Sequence, residues 1–278
     1  MHTLRTLLRK SPEYLLLLAG GVLMVFPFIW MISVSLKPNT FVIQIPPELI
    51  PKDGSLVNFI QAWTANNFQV YFLNSAFVAV TSTIFCVLFS AMAAYAFARF
   101  KFPGREAIFY TLLGVMMVPS TIAIIPQFFL MKYLGLRNSL YGLILIYTAT
   151  SLPLNIFLLR GFFEQLPHEL EEAVLIDGGS YLTVFVRIVL PLSTPALATV
   201  SIFSFMSFWD EFIMALTFID DPGKRTLPIS IALFQGQHGT AWGLVFAASI
   251  ISLVPIIAFF VTMQRYFVSG LTTGAFKG

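Results

Sequence analysis

Six long apolar runs, at about 14–36, 71–98, 107–131, 139–159, 195–219 and 242–264, alternate with more polar segments along the chain. About 20 mostly apolar residues in helical form cross the hydrocarbon core of a bilayer, and a helix satisfies its own backbone hydrogen bonds where water is absent. The pattern predicts six transmembrane helices. The first run follows Arg5, Arg9 and Lys10, as the core of a secretory signal would. It outruns the roughly 7–15 apolar residues of such a core, and no small-x-small cleavage site follows Ser35, so a retained first span is expected.

The intervening segments differ in kind. Residues 37–70 hold Pro46, Pro47, Pro51 and Gly54 and predict a long loop with one short helix near 57–65. Residues 220–241, with Asp220, Asp221, Pro222 and Gly223, predict a second long loop. With both loops outside, the inside segments hold Arg5, Arg9, Lys10, Arg99, Lys101, Arg105, Arg160, Arg187, Arg265 and Lys277. The outside segments hold only Lys37, Lys52, Lys132, Arg137, Lys224 and Arg225. This positive-inside bias places both termini in the cytoplasm, as an even number of spans requires.

Composition narrows the class. Of 278 residues, 58% are hydrophobic and 10% charged, with a mean hydropathy of +0.85; a soluble domain carries about 25% charged residues. So few charges cannot cover a soluble globule, which argues against a soluble enzyme, a disordered chain or a nucleic-acid binder. The net charge of +3 is small. Cys86 is the sole cysteine, so no intrachain disulfide exists. His2, His168 and His238 lie in three separate segments, and no metal site is expected. No Gly-rich Lys-Ser/Thr phosphate loop occurs, so any ATP must be hydrolysed by another chain. Ser90, Ala94 and Ala98 form a small-xxx-small stripe suited to close helix packing. Pro119, Pro126, Pro153 and Pro255 are expected to kink their helices.

The cytoplasmic segment 160–194 is too polar for lipid yet patterned as helix. Pro167 suits a first turn, and Glu169, Glu171 and Glu172 suit the positive N-terminal end. Leu170, Ala173 and Val174 fall at i, i+3 and i+4 and predict a small apolar face rimmed by carboxylates. Asp177-Gly178-Gly179 should stop the helix, because glycine tolerates the left-handed conformation. Ser180 can cap a second helix through Val189, ended by Pro191.

In that segment Glu172-Ala173-Val174 is followed by three residues, Gly178, nine residues and Ile188-Val189-Leu190-Pro191. The order and spacing resemble the EAA loop of ATP-binding-cassette (ABC) importer permeases, with Val174 in place of the second alanine. Other stretches are similar to the carbohydrate-importer permeases. They include Ser35-Leu36-Lys37, Asn74-Ser75, the run from Ala94 to Phe100 with Phe102-Pro103-Gly104, and Met117-Val118-Pro119. Leu134-Gly135-Leu136, Leu166-Pro167, Gln264-Arg265 and the tail from Gly270 to Gly278 belong with them. The resemblance spans nearly the whole chain and is to the shorter, six-span permease of maltose-type heterodimeric pairs.

The resemblance implies an all-α polytopic fold, a single permease domain over 1–278 of the type I importer class, in the cytoplasmic (inner) membrane of a bacterium. It implies ATP-driven import of a neutral sugar, without catalysis or a cofactor on this chain. The implied partners are a second homologous permease, two copies of a cytoplasmic ABC ATPase holding ATP and Mg, an extracytoplasmic solute-binding protein, and membrane lipid. ATPase coupling would fall to Glu169, Leu170, Glu172, Ala173, Val174, Asp177, Gly178 and Gly179. Gly270, Leu271, Thr272, Gly274 and Lys277 would form a tail inserted between the ATPase subunits; by composition alone that tail reads as a frayed terminus.

Trp209-Asp210-Glu211 puts two acids inside the fifth run, where ionisable groups are costly unless they face a bundle interior or an aqueous cavity. The family usually carries Trp-Asn at the first two positions, and Asp210 replaces the Asn. Two readings stand: a wall of the sugar cavity with Trp209 stacking on a sugar face, or a polar contact between the two permeases. Adjacent helical residues diverge by about 100°, so the two acids alone cannot form a hydrolase dyad. A glycerol-phosphate diester or a compatible solute is the alternative substrate; the absence of mid-span Arg or Lys favours a neutral one. A secondary transporter would need inverted repeats and broken helices, and would leave the EAA-like loop without a use.

Overall fold

Some apolar runs form continuous helix and others are broken. The computed structural model describes the backbone of residues 2–38, 49–236 and 239–275, and the side chains of 13–38, 49–235 and 240–266. In chain order the helices are α1 (His2–Ser35), α2 (Val57–Thr64), α3 (Phe68–Arg99), α4 (Arg105–Val115), α5 (Ser120–Tyr133) and α6 (Leu140–Phe163). They continue with α7 (Glu169–Ile176), α8 (Tyr181–Val184), a π turn (Phe185–Val189), α9 (Leu190–Leu192), α10 (Thr194–Trp209), α11 (Ile213–Phe218), α12 (Leu227–Leu233) and α13 (Trp242–Ala275). Between α12 and α13 lies a two-residue antiparallel pair, β1 (Gln235–Gly236) with β2 (Gly239–Thr240).

Among the described residues, four stretches are long and apolar enough to cross a membrane: Glu13–Ser35, Phe68–Arg99, Leu140–Phe163 and Trp242–Tyr266. Two further runs are broken. The expected span at 107–131 divides into α4 and α5, bent by 103°. Pro119 sits at the break with φ −58° and ψ 128°; proline cannot donate the helical N–H and pushes the preceding residue out of the helical region. The expected span at 195–219 is likewise discontinuous. Its first part, α10, ends at Trp209, and the chain turns through 210–212 before α11. On the other side, the helical stretch Tyr181–Leu192 meets α10 at a bend of 77°. Pro191, expected to end that stretch at Val189, lies within α9 instead, behind the π turn. Pro126, Pro153 and Pro255 sit inside α5, α6 and α13, which run through them.

The chain divides into two compact units, Met1–Phe68 with Ser230–Leu253, and Gln69–Ile229 with Val254–Gly278. In the first, buried Asn58 pins α2 to the end of α1. Its Nδ2 donates to the Ser35 carbonyl at 2.8 Å and to the Lys37 carbonyl at 2.7 Å. Of the long loop expected over 37–70, residues 39–48, including Pro46 and Pro47, lie outside the described residues.

The second unit holds a cluster of buried side chains near one end of α3, α6 and α10, among them Ala94, Tyr95, Leu159, Phe163, Val184 and Val200. Ala94 belongs to the predicted small-residue stripe and is fully buried, as is Ser90. Toward the other end, Asn138 ties the α5–α6 connection to the segment after α11. Its N–H donates to the Phe218 carbonyl at 2.8 Å, and its Oδ1 accepts from the N–H groups of Asp220 and Asp221. Arg137 pairs with Asp220 beside it. In the same region Gly142 lets the first turn of α6 lie against the Leu136 carbonyl; a Cβ there would be driven into that oxygen. Because backbone cannot swing aside, Gly142→Ala should cost about 3 kcal/mol of overpacking. The expected result is a thermal midpoint in detergent lowered by about 5–10 °C, read by fluorescence-detected size exclusion after heating.

Candidate functional site

The first candidate region is α7 and its flanks. Glu169, Glu171 and Glu172 occupy its first turn, where carboxylates complement the helix dipole. The His168 carbonyl accepts from the N–H groups of Glu171 and Glu172, both at 3.0 Å, so Pro167 lies just before the helix. At the other end Gly179 N–H donates to the Val174 carbonyl at 2.8 Å and Gly178 N–H to the Leu175 carbonyl at 3.1 Å. Gly178 has φ +81°. This is the paired bonding of a Schellman stop, and its left-handed residue favours glycine. Gly179 is required for a different reason: a Cβ there would sit 2.6 Å from Val174 Cγ1 and 2.8 Å from its carbonyl oxygen. Ser180 then caps α8, its Oγ accepting from Thr183 N–H at 3.2 Å, with the reciprocal Ser180 N–H to Thr183 Oγ1 contact completing a capping box.

The apolar face of α7 differs from the one the sequence spacing predicts. Val174 is half-buried and packs with Leu175 against the buried cluster of the second unit. The outward strip is Leu170, Ala173 and Ile176, the last 85% exposed, with Glu169, Glu172 and Asp177 exposed around it. The i, i+3 rule was satisfied by both faces of so short a helix, and only packing chooses between them. Glu171 turns inward with Val174 and Leu175. Its Oε1 lies 2.6 Å from Nε of Arg99, the last residue of α3. In the sequence Arg99 counted only as an inside charge and Ile176 was not singled out, although Glu171, three residues before Val174 and four before Leu175, shares their face and is a usable signal for both. Nearby, Arg160 pairs with Glu106 at 2.9 Å and Glu164 at 2.8 Å, with its guanidinium 4.0 Å from the Phe109 ring centroid.

The second region is a cleft of about 690 Å³ bounded by the α4–α5 break, α6, and α10 with α11. Its polar lining comes from Ser120, Gln127, Tyr147, Thr150, Ser151, Asn155, Ser204, Ser207 and Glu211; no Lys, Arg or His contributes. Glu211 Oε2 accepts from Tyr147 Oη at 2.5 Å and from Ala215 N–H at 2.9 Å, and Oε1 accepts from Met214 N–H at 2.7 Å. The carboxylate thus starts α11 and holds α6 to it. Deeper in, Asn155 Nδ2 donates to Ser204 Oγ at 2.8 Å and Cys86 Sγ at 3.0 Å.

Trp209, Asp210 and Glu211 are therefore not brought together as one wall. Trp209 is 2% exposed, edge-on to Phe72 at 5.4 Å and stacked on Phe205 at 5.7 Å, away from the cleft lining. Asp210 is exposed at the C-terminal cap of α10 and also lies outside the lining. The helix ends at Trp209, and the turn that follows aims each side chain separately. Of the C-terminal candidates, Gly270, Leu271, Thr272 and Gly274 fall within the backbone of α13, and Lys277 lies outside the described residues.

Comparison with known proteins agrees in one direction. Residues 86–273 match the family described as binding-protein-dependent transport system inner membrane component. The chain is 40% identical over 271 residues to the trehalose/maltose transport system permease protein of Thermococcus litoralis, covering 95% of this chain and 97% of that one. It is 37% identical over 271 residues to the sulfoquinovosyl glycerol transport system permease protein of Agrobacterium fabrum, covering 96% and 95%. Its fold superposes on a bacterial ABC transporter involved in importing the acidic polysaccharide alginate with a TM-score of 0.81 at 23% identity, covering 92% of this chain and 95% of that one. A second alginate transporter structure, in complex with a periplasmic protein carrying an alginate pentasaccharide, gives 0.70 at 14% identity, covering 94% and 95%.

Proposed function

Because the chain belongs to the family of binding-protein-dependent transport system inner membrane components, we propose that it is one of two permease subunits of an ATP-driven sugar importer. Membership, and relatives that are permeases for trehalose/maltose and diacetylchitobiose, support a multi-pass membrane subunit working with an extracytoplasmic binding protein. In this reading each bent helix pair counts as one span, giving six with both termini in the cytoplasm. A second homologous permease completes the pore, and two cytoplasmic ATPase subunits bind ATP and Mg. Hydrolysis belongs to them, and this chain supplies the path.

The observation that carries the reading is α7. Leu170, Ala173 and Ile176 present an unburied apolar strip ringed by Glu169, Glu172 and Asp177, on a helix stopped by Gly178-Gly179. An exposed apolar strip rimmed by polar groups marks an interaction surface. A cytoplasmic ATPase groove with an apolar floor and basic rim is its complement, and the helix passes the closure of that groove to the spans. A secondary transporter would leave the strip without a partner. The tail from Gly270 to Lys277 adds a second contact between the ATPase subunits.

The cleft supports a neutral sugar as the substrate. Its hydroxyls, amides and one carboxylate, with no Lys, Arg or His in the lining, suit the hydroxyl groups of a neutral di- or oligosaccharide. A glycerol-phosphate diester would meet the Glu211 carboxylate without a compensating cation. The test is reconstitution of the co-purified complex in proteoliposomes. ATP hydrolysis sensitive to vanadate, and stimulated by the cognate binding protein with its bound sugar, is expected. A preparation that transports without any ATPase would refute the assignment.

A further inference from the structure

The end of α3 and the first turn of α7 lie about seventy positions apart in sequence, yet one side chain joins them. Arg99 Nε donates to Glu171 Oε1 at 2.6 Å, and Nη2 donates to the Leu166 carbonyl at 2.9 Å. Its Nη1 lies 3.3 Å from His168 Nε2. The three guanidinium nitrogens thus hold three points along the lead-in and first turn of α7. The pair is enclosed as well: the Arg99 side chain is 4% exposed and that of Glu171 10%.

The other attachments of α7 are of a different kind. Along the chain it hangs between the segment after α6 and the Gly178-Gly179 joint. Beneath it, Val174 and Leu175 make apolar contacts, which are non-directional and resist sliding weakly. A planar guanidinium fork fixes direction and register as well as distance. A push on the outer strip of α7 must therefore carry the end of α3 with it or break the fork. We propose that Arg99 is a positioning residue that makes α7 and the cytoplasmic end of α3 one rigid body, so that ATPase closure drives α3 directly besides the helices next to α7 in sequence. The inference rests on α7 being the ATPase-docking helix.

The experiment uses the intact importer in proteoliposomes, with spin labels at the exposed Lys101→Cys and at Asp177→Cys, the C-terminal cap of α7 beside the apolar strip and not in it. The only native cysteine, Cys86, is buried. Electron paramagnetic resonance should give one narrow label separation that is the same without nucleotide and after trapping with ATP and vanadate. In Arg99→Gln the separation should broaden or shift on trapping. The stimulation of ATP hydrolysis by the sugar-loaded binding protein should fall about fivefold or more, the low end of site-to-site couplings. Arg99→Lys should not restore it, since one ammonium cannot replace the fork. Arg99→Gln with Glu171→Gln should be no worse than either alone.

A separation that changes on trapping in the wild-type chain overturns the proposal without reference to any Arg99 variant. So does an unaltered separation in Arg99→Gln, or strictly additive losses in the double variant. Cross-linking of Ile176→Cys to the ATPase tests the docking reading separately. Its absence removes that reading and the inference with it; cross-linking with undisturbed separations removes the inference alone.

Discussion

Replacing Gly178 by proline should abolish uptake while leaving the subunit in the membrane at near-normal abundance. The residue sits at φ +81° and donates its N–H to the Leu175 carbonyl. Proline can reach neither condition, since its ring holds φ near −65° and it has no N–H. The stop after α7 must then rebuild, and the outward strip of Leu170, Ala173 and Ile176 turns away from the proposed ATPase groove. Alanine is the control. Open space surrounds a Cβ at this position, so Gly178→Ala meets only the left-handed penalty of about 1–2 kcal/mol and should retain most uptake. Binding-protein-stimulated hydrolysis and sugar uptake, measured together, check the pair; full uptake in Gly178→Pro would falsify the coupling role of this loop. Glu172→Lys, which reverses charge on the rim without touching the stop, should uncouple hydrolysis from uptake in the same assay.

Glu211→Ala should be the second severe substitution, through both stability and transport. The carboxylate accepts from Tyr147 Oη, Met214 N–H and Ala215 N–H. Removing it strands those donors beside the cleft at about 1–3 kcal/mol for each that water does not reach, and α11 loses the group that starts it. A carboxylate offers about four lone-pair sites; three are occupied, which leaves one for a sugar hydroxyl. Glu211→Gln keeps the shape but brings a donor NH2 toward existing donors, so an intermediate loss is expected. Tyr147→Phe removes one of the three donors and should leave the assembled complex at normal abundance. Uptake per assembled complex is the discriminating quantity. A fall of about tenfold in Glu211→Ala, one hydrogen bond's worth of transition-state or substrate binding, is expected. Uptake that simply follows the amount of assembled complex would reduce Glu211 to a helix-starting role.

How far the site could be read from sequence depended on whether local chemistry or distant packing placed each residue. Gly178 and Ser180 were legible because a helix stop and an N-cap are decided by the residue itself and its bonds three to five positions away. The face of α7 was not. Over eight residues, Leu170–Ala173–Val174 and Leu170–Ala173–Ile176 are equally good stripes, and the cluster containing Phe163 and Val184 decides which valine or isoleucine turns outward. The place of Trp209 is likewise set by packing. Its helix ends at this residue, and Phe72 and Phe205 enclose its ring.

The sequence by itself determined the solvent and the machinery. Apolar runs of bilayer length demand lipid because nothing else can cover them, and the spacing from Glu172 to Pro191 carries the mark of an importer permease. Those signals survive in one dimension because they depend on composition and on short-range geometry. The break after Trp209, the cleft lined from α5, α6, α10 and α11, and the reach of Arg99 to Glu171 and of Tyr147 to Glu211 came only with the tertiary structure. The cleft and the two contacts join residues tens of positions apart, and the sequence holds no term for that distance until the helices are packed. The Arg99–Glu171 and Tyr147–Glu211 contacts each enlist one of the chain's few acids. Packing therefore decides that Glu171 and Glu211 work inside the fold, while Glu172 is left facing out.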